Sequence, residues 1–146
     1  MIKRVAQAIR SVCRRIAEAT TIAKIRLLFI VSYAVVILYI TVLSRTPGTE
    51  RIFQGLFWEY RNEMWNNIFL NMLLFMPLGF VTGSKKGVLF GFLLSAAIEI
   101  TQYIGILGYC EVDDVLNNTI GTVVGYMAWR FVQRKLNIRI GNRKKS

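Results

Sequence analysis

Long apolar runs separated by short charged stretches are the main feature of the chain. Four apolar segments can be drawn, at residues 27–43, 67–81, 88–107 and 115–132. The first contains no charged residue and is long enough to cross the hydrocarbon core of a bilayer as a helix. The other three contain polar residues, which we expect to face protein or water because lipid does not solvate them.

The N-terminal segment has a different pattern. Apolar side chains recur there at spacings of three and four, with basic residues between them, at Ile2, Val5, Ile9, Val12 and Ile16. This spacing predicts an amphipathic helix that lies on the inner face of the membrane. A signal peptide does not fit, because the charged region is too long and no small-residue cleavage site follows. The chain then divides into a basic amphipathic helix (1–24), a four-helix membrane domain (25–132) and a basic cytoplasmic tail (133–146).

The basic residues predict the orientation. The formal net charge is +11, and of the 19 lysines and arginines only Arg45, Arg51 and Arg61 fall in the stretches on the side opposite to the termini. Because cytoplasmic loops carry the excess of basic residues, both termini are predicted to be cytoplasmic. We therefore predict an all-α integral membrane protein in the cell membrane, with four transmembrane helices and an N-terminal amphipathic interfacial helix. No nucleic-acid-binding module is present.

Several chemistries are excluded by composition. The chain has no histidine, which rules out Ser-His-Asp and Cys-His catalysis and HExxH zinc sites. A metal would need oxygen ligands, as magnesium, calcium or manganese do, but the pattern predicts no metal site and no cofactor. Cys13 and Cys110 fall on opposite sides of the predicted membrane, so they cannot form a disulfide within one chain.

Polar residues of all four segments fall at the same predicted depth, near the outer leaflet. At about 100° per residue, Glu99 and Gln102 share one face of the third segment, and Asp114 and Asn118 share one face of the fourth. We predict that these residues form an outward-facing polar pocket. The candidate binding residues are Arg45, Asn71, Glu99, Gln102, Asp113, Asp114 and Asn118.

The buried carboxylates have structural interpretations as well. An ionisable group inside a bilayer costs about 2.5–3.5 kcal/mol on insertion scales, so Glu99 must be paired, protonated or hydrated, and Arg45 is the expected partner. Such a network could instead only fix the register of the helices. One aspartate of the pair 113–114 can be explained as a helix cap.

Small residues and one proline have predicted packing roles. Gly121 and Gly125 form a GxxxG pair, which allows close approach of a neighbouring helix, and we expect that neighbour to be the third segment. Pro77 is expected to kink the second segment and to free a backbone carbonyl.

These polar residues lie in four short motifs that together resemble the VanZ-like family of membrane proteins. The motifs are "LSRTPG" at 43–48, "NIFLNMLLFMPLGF" at 67–80, "EITQ" at 99–102 and "EVDDVLNNTIGTVVGY" at 111–126. By matching, the resemblance adds Gly79 to the structural positions Pro77 and Gly121, and it places Glu111 where the family has an aspartate. It implies a link to glycopeptide resistance, because the founding member of the family gives low-level teicoplanin resistance.

Three functions stay open from the sequence. The first is a non-enzymatic membrane protein that engages an envelope lipid, another envelope component or a lipoglycopeptide at the outer leaflet. The second is an intramembrane enzyme that acts on a cell-envelope lipid or lipid-linked precursor, with carboxylates as general acid and base or as ligands of a divalent ion. The third is a small transporter, which would also need polar residues near the inner leaflet. The oligomeric state cannot be read from the sequence.

Overall fold

The computed structural model describes the backbone of residues 2–143 and the side chains of residues 7, 18 and 20–136. The prediction of a helical fold is confirmed, since 79% of the chain is helical. The elements are α1 (Ile2–Leu38), which continues into a π-helical turn (Tyr39–Leu43), β1 (Ile52–Gln54), α2 (Trp58–Arg61), α3 (Trp65–Thr82), α4 (Lys85–Gly105), β2 (Tyr109–Glu111) and α5 (Val112–Arg143).

Three helices are long and apolar enough to cross a membrane. They are Thr20–Leu43, Trp65–Thr82 and Lys85–Gly105, with mean hydropathies of 2.3, 1.2 and 1.5. The fourth predicted span lies within α5, which begins with two acids and two asparagines and is not among the candidate spans of the described chain. Four spans therefore stay a prediction.

Residues 1–24 were predicted to form a separate helix on the membrane surface. In the structure α1 runs without interruption from Ile2 to Leu38, so the predicted boundary after residue 24 is not a break in the helix. Most side chains before residue 20 lie outside those described, and the interfacial position of this segment stays a prediction. The cytoplasmic tail after residue 132 and the location of the two termini also stay predictions.

Helices α3 and α5 form the closest pair in the fold. A Cβ atom on Gly121 would collide with the Met72 carbonyl, and one on Gly125 would collide with the Met76 carbonyl. The GxxxG pair therefore packs against the second apolar segment, and our prediction that it packs against the third is wrong. On the other side of the contact, Gly79 lies directly against the Thr122 backbone.

Helix α4 packs against a different face of α5. There the Asn118 Nδ2 atom donates a hydrogen bond to the Ser95 Oγ atom (2.8 Å), and Gly91 lies against the Thr122 side chain. Pro77 lies inside α3, which continues beyond it to Thr82. The helices enclose a small apolar core of Ile37, Phe75, Leu78 and Ile98.

A short parallel sheet joins the two connecting segments at one end of the bundle. Strand β1 follows α1, strand β2 precedes α5, and Gln54 pairs with Glu111 in their register. Because we predicted no strands, the expectation of an all-α fold is wrong at this point. Next to the sheet, Gly108 has a φ of +127°, and its missing side chain leaves room for the Arg45 guanidinium.

Candidate functional site

A cavity of about 510 Å³ lies at the end of the bundle that carries the sheet. Its wall comes from the end of the first helical segment, the sheet, α2 and the first turns of α3 and α5. The lining residues are Arg45, Gln54, Trp58, Glu59, Met64, Asn67, Leu70, Asn71, Tyr109, Glu111 and Asp114. Five of the eight acids of the chain, Glu59, Glu99, Glu111, Asp113 and Asp114, line this cavity or are buried close to it.

Asp113 holds the α2 segment in place. Its Oδ1 atom accepts a hydrogen bond from the Phe57 N–H (2.6 Å) and its Oδ2 atom accepts one from the Glu59 N–H (2.9 Å). Phe57 has a φ of +64° and precedes the first residue of α2. Asp113 therefore caps α2, which lies more than 50 residues earlier in the sequence, and both of its oxygens are used in shaping the cavity wall.

The Glu59 side chain points back into the protein as a result. It is 1% exposed, and its Oε2 atom accepts a hydrogen bond from Asn117 Nδ2 (2.9 Å). The other side of the Asn117 amide accepts a hydrogen bond from the Tyr60 hydroxyl. Asn117, whose amide is oriented by the Tyr60 hydroxyl, thus holds the glutamate of the short helix α2 at the start of α5.

Two further carboxylates are fixed around the same cavity. The Asp114 Oδ1 atom accepts a hydrogen bond from Asn71 Nδ2 of α3. The Glu99 Oε2 atom accepts one from the backbone N–H of Glu111 (2.8 Å), which fixes the end of β2. One oxygen each from Glu59, Glu111 and Asp114 lie within 4.8 Å of one another. Such a group of oxygen atoms can hold a divalent cation or share a proton.

Burial and mutual repulsion make the loop carboxylates hard to ionise. Burial, followed by the negative charges of Glu59, Glu99 and Asp113, raises the pKa of Glu111 to about 7, and the charge of Arg45 opposes this shift. Burial also raises the pKa of Glu59, with a further contribution from Asp113. Both groups therefore bind protons more readily than an exposed glutamate does.

The structure brings together only part of the predicted binding set. Arg45, Asn71 and Asp114 line the cavity. Gln102 is buried elsewhere, where its Nε2 atom donates to the Thr41 carbonyl (2.9 Å), and Asn118 faces Ser95 of α4.

Glu99 and Arg45 were predicted to pair, but each binds a different group in the structure. The Arg45 guanidinium donates to the Leu107 carbonyl (3.3 Å), and Glu99 binds the Glu111 backbone. No ion pair joins Glu99 and Arg45 within the residues that the structure describes. Both side chains nevertheless stay close to the same acidic region, where the Arg45 charge opposes the rise in the Glu111 pKa.

Sequence reasoning missed several lining residues. Gln54, Trp58 and Glu59 lie in the segment between the first two apolar runs, which has no membrane-helix periodicity, and so no face could be assigned to them. Glu111 was noted as the first acid of its run but was not placed in the binding set. One signal was available for Glu59, which is an acid flanked by aromatic residues in "LFWEY".

Together these features define a helical membrane protein that buries an acidic cavity at one end of its helix bundle. A protein-family model described as VanZ/LLP1 matches residues 29–133, which include every residue that lines the cavity. The chain therefore belongs to the VanZ/LLP1 family. No curated protein and no solved structure matches the chain.

Proposed function

We propose that the chain is a multi-pass protein of the cell membrane whose cavity opens to the outside. In this arrangement α5 is the fourth span, in contact with α3 and α4 on two of its faces, and both termini are cytoplasmic. The support is the distribution of basic residues: Lys85 and Lys86 lie in the turn between α3 and α4, at the end of the bundle opposite to the cavity.

The topology can be tested with two cysteine variants in a background that carries Cys13→Ser and Cys110→Ser. Glu50 and Lys86 are both exposed and lie at opposite ends of the bundle. We expect Glu50→Cys to react with a membrane-impermeant maleimide in intact cells, and Lys86→Cys to react only after permeabilisation. The reverse labelling pattern would place the cavity on the cytoplasmic side.

For the function itself, we propose that the cavity engages an envelope lipid, another envelope component or a lipoglycopeptide at the outer leaflet, and that this reduces sensitivity to teicoplanin. The proposal rests on the combination of charged and apolar residues that line the cavity. Arg45 and the carboxylates can bind a polar head group, while Trp58, Met64 and Leu70 offer apolar contacts at its margin. A site of this composition suits an amphipathic ligand.

The functional test is teicoplanin susceptibility of a sensitive strain that expresses the wild type, Asp114→Asn or Glu99→Gln. We expect the wild type to lower susceptibility and both variants to lose most of that effect, because Asp114 lines the cavity and Glu99→Gln leaves the Glu111 N–H with only a weaker, neutral acceptor. Glu50→Gln is the matched control and should behave as the wild type does. Equal membrane levels of all chains must be shown by immunoblot. If no chain changes susceptibility, the link to teicoplanin is wrong for this protein.

A second candidate function is an intramembrane enzyme acting on an envelope lipid or lipid-linked precursor. The convergence of Glu59, Glu111 and Asp114 favours it, because neighbouring carboxylates with raised proton affinity can act as acid and base. The test is the lipid profile of cells that express the wild type or Asp114→Asn. A profile that is the same in both strains would count against an enzyme.

A further inference from the structure

The three carboxylates that converge in the cavity come from separate elements of the fold. Glu59 belongs to α2, Glu111 to β2 and Asp114 to α5, and one oxygen of each lies within 4.8 Å of the others. Like charges at this distance in a partly buried site repel strongly. Arg45 also lines the cavity, but a single positive charge balances only one of the three carboxylates when all are ionised.

Two buried oxygen atoms of the cavity wall have no donor among the described residues. Glu59 Oε1 is one of them, in a side chain that is 1% exposed. The Glu59 Oε2 atom accepts from Asn117, and the side chains of Asn67 and Glu111 lie near enough to this carboxylate to oppose the rise in its pKa. The other is the Oε1 atom of Gln54, a neutral side chain that is 9% exposed and lines the same cavity. Buried acceptors without donors are costly. Because Gln54 pairs with Glu111 in the sheet, a cation bound at Glu111 would lie near the Gln54 side chain, and the Gln54 amide is evidence independent of the acids.

We propose that Glu59, Glu111 and Asp114, together with the amide oxygen of Gln54, bind one divalent cation of the calcium class. Oxygen ligands lie about 2.3–2.6 Å from Ca²⁺, so ligands on opposite sides of the ion are about 4.6–5.2 Å apart. The three carboxylate oxygens lie within 4.8 Å of one another, which is compatible with such an ion. The number of ligands favours Ca²⁺, which takes about 6–8 oxygen ligands, over Mg²⁺, which keeps several waters and is usually bound by one or two carboxylates.

The proposal has one direct competitor, which is a proton shared by Glu59 and Glu111. A shared proton would relieve the same repulsion but would leave the Gln54 oxygen without a partner. General attraction of cations to the protein is not expected, since the formal net charge of the chain is +11. Saturable cation binding at the cavity would therefore be specific to this cluster. It does not depend on the proposed function, because it is measured without any envelope ligand.

The test uses the purified full-length chain in nanodiscs of neutral phosphatidylcholine, stripped of metal with a chelator. Ca²⁺ binding is measured by calorimetry, and Tb³⁺ binding is measured by luminescence excited through Trp58, which lines the cavity. We expect one site per chain with a dissociation constant of about 10⁻⁴–10⁻³ M, as in extracellular calcium modules. Added Ca²⁺ should displace Tb³⁺. No saturable binding up to about 10 mM Ca²⁺ would overturn the proposal in favour of the shared proton.

Three variants locate the site. Glu111→Gln and Asp114→Asn should each weaken Ca²⁺ binding by at least about tenfold, whereas the exposed control Glu50→Gln should not change it. Trp58→Phe alters no proposed ligand, so it should retain Ca²⁺ binding while losing a clear part of the Tb³⁺ luminescence, the remainder being excited through Tyr109 of the same cavity. This last variant keeps the test decisive if a carboxylate variant fails to fold. Unchanged affinity in both carboxylate variants, or full luminescence in Trp58→Phe, would show that the cation binds elsewhere.

Discussion

Asp113→Ala is expected to lower the thermal unfolding midpoint of the purified chain by about 10 °C or more. The Asp113 carboxylate accepts hydrogen bonds from the Phe57 and Glu59 N–H groups, and the side chain is 1% exposed. Hydrogen bonds to a charged group contribute about 1.5–3 kcal/mol each, and the substitution leaves the buried Glu59 N–H and the partly buried Phe57 N–H unpaired. We therefore expect a loss of about 3–5 kcal/mol in the free energy of unfolding.

Loss of the Asp113 charge has an opposing, stabilising effect. The negative charge of Asp113 disfavours ionisation of Glu59 and Glu111, so its removal would relieve some repulsion within the cluster. The lost hydrogen bonds should outweigh this gain, because they are direct contacts, whereas Glu59 and Glu111 can reduce the repulsion by binding protons.

The matched variants for Asp113 separate the two effects. Asp113→Asn keeps one acceptor and removes the charge, so it should fall between the wild type and Asp113→Ala. Glu50→Ala, which removes an exposed acid, should leave the midpoint unchanged. A midpoint for Asp113→Ala within about 2 °C of the wild type, less than the loss of one such hydrogen bond, would mean that α2 is held by other contacts.

Gly121→Ala is expected to destabilise the helix bundle by about 2–3 kcal/mol, although alanine normally favours a helix over glycine by about 1 kcal/mol. The added Cβ would collide with the Met72 carbonyl, an atom of the α3 backbone. Backbone in a packed helix cannot move aside as a flexible side chain can, so α3 and α5 must separate. Because the cavity is lined from both helices, the separation should also reduce the proposed cation binding and the proposed effect on teicoplanin susceptibility.

Gly55→Ala is the matched control for this substitution, because a Cβ at Gly55 would meet nothing within 4 Å. It should stay within about 1 kcal/mol of the wild type. Both chains can be followed by the fluorescence of their three tryptophans during thermal unfolding in detergent. Equal midpoints for Gly121→Ala and Gly55→Ala would contradict the close contact between α3 and α5.

The helices could be predicted from the sequence because their signal is local. Apolar runs of suitable length mark the spans. The predicted depths of the polar residues place Arg45, Asn71 and Asp114 at the same level of the membrane, near the outer leaflet. The partner of the GxxxG pair could not be predicted, because a glycine pair shows that a helix is approached closely but not by which neighbour. In the structure Gly79 supplies the matching small residue on α3.

The loop side of the site could not be predicted for a different reason. Glu59 enters the cavity only because Asp113 caps α2 from a distance of more than 50 residues along the chain, and Gln54 enters only because β1 pairs with β2. Both contacts are long-range, and neither leaves a period in the sequence. The two strands were missed as well, because each has only three residues, which is too short for an alternating pattern to be recognised in the sequence.

We propose above all that the acidic cavity binds an envelope ligand or a lipoglycopeptide through Asp114. The most direct test presents teicoplanin and, separately, an envelope lipid extract to the wild type and to Asp114→Asn in neutral nanodiscs, and identifies the retained molecules by mass spectrometry. We predict that the wild type retains teicoplanin or one lipid class and that Asp114→Asn, with an unchanged unfolding midpoint, loses it. Equal retention by both chains, or retention by neither, would contradict the claim.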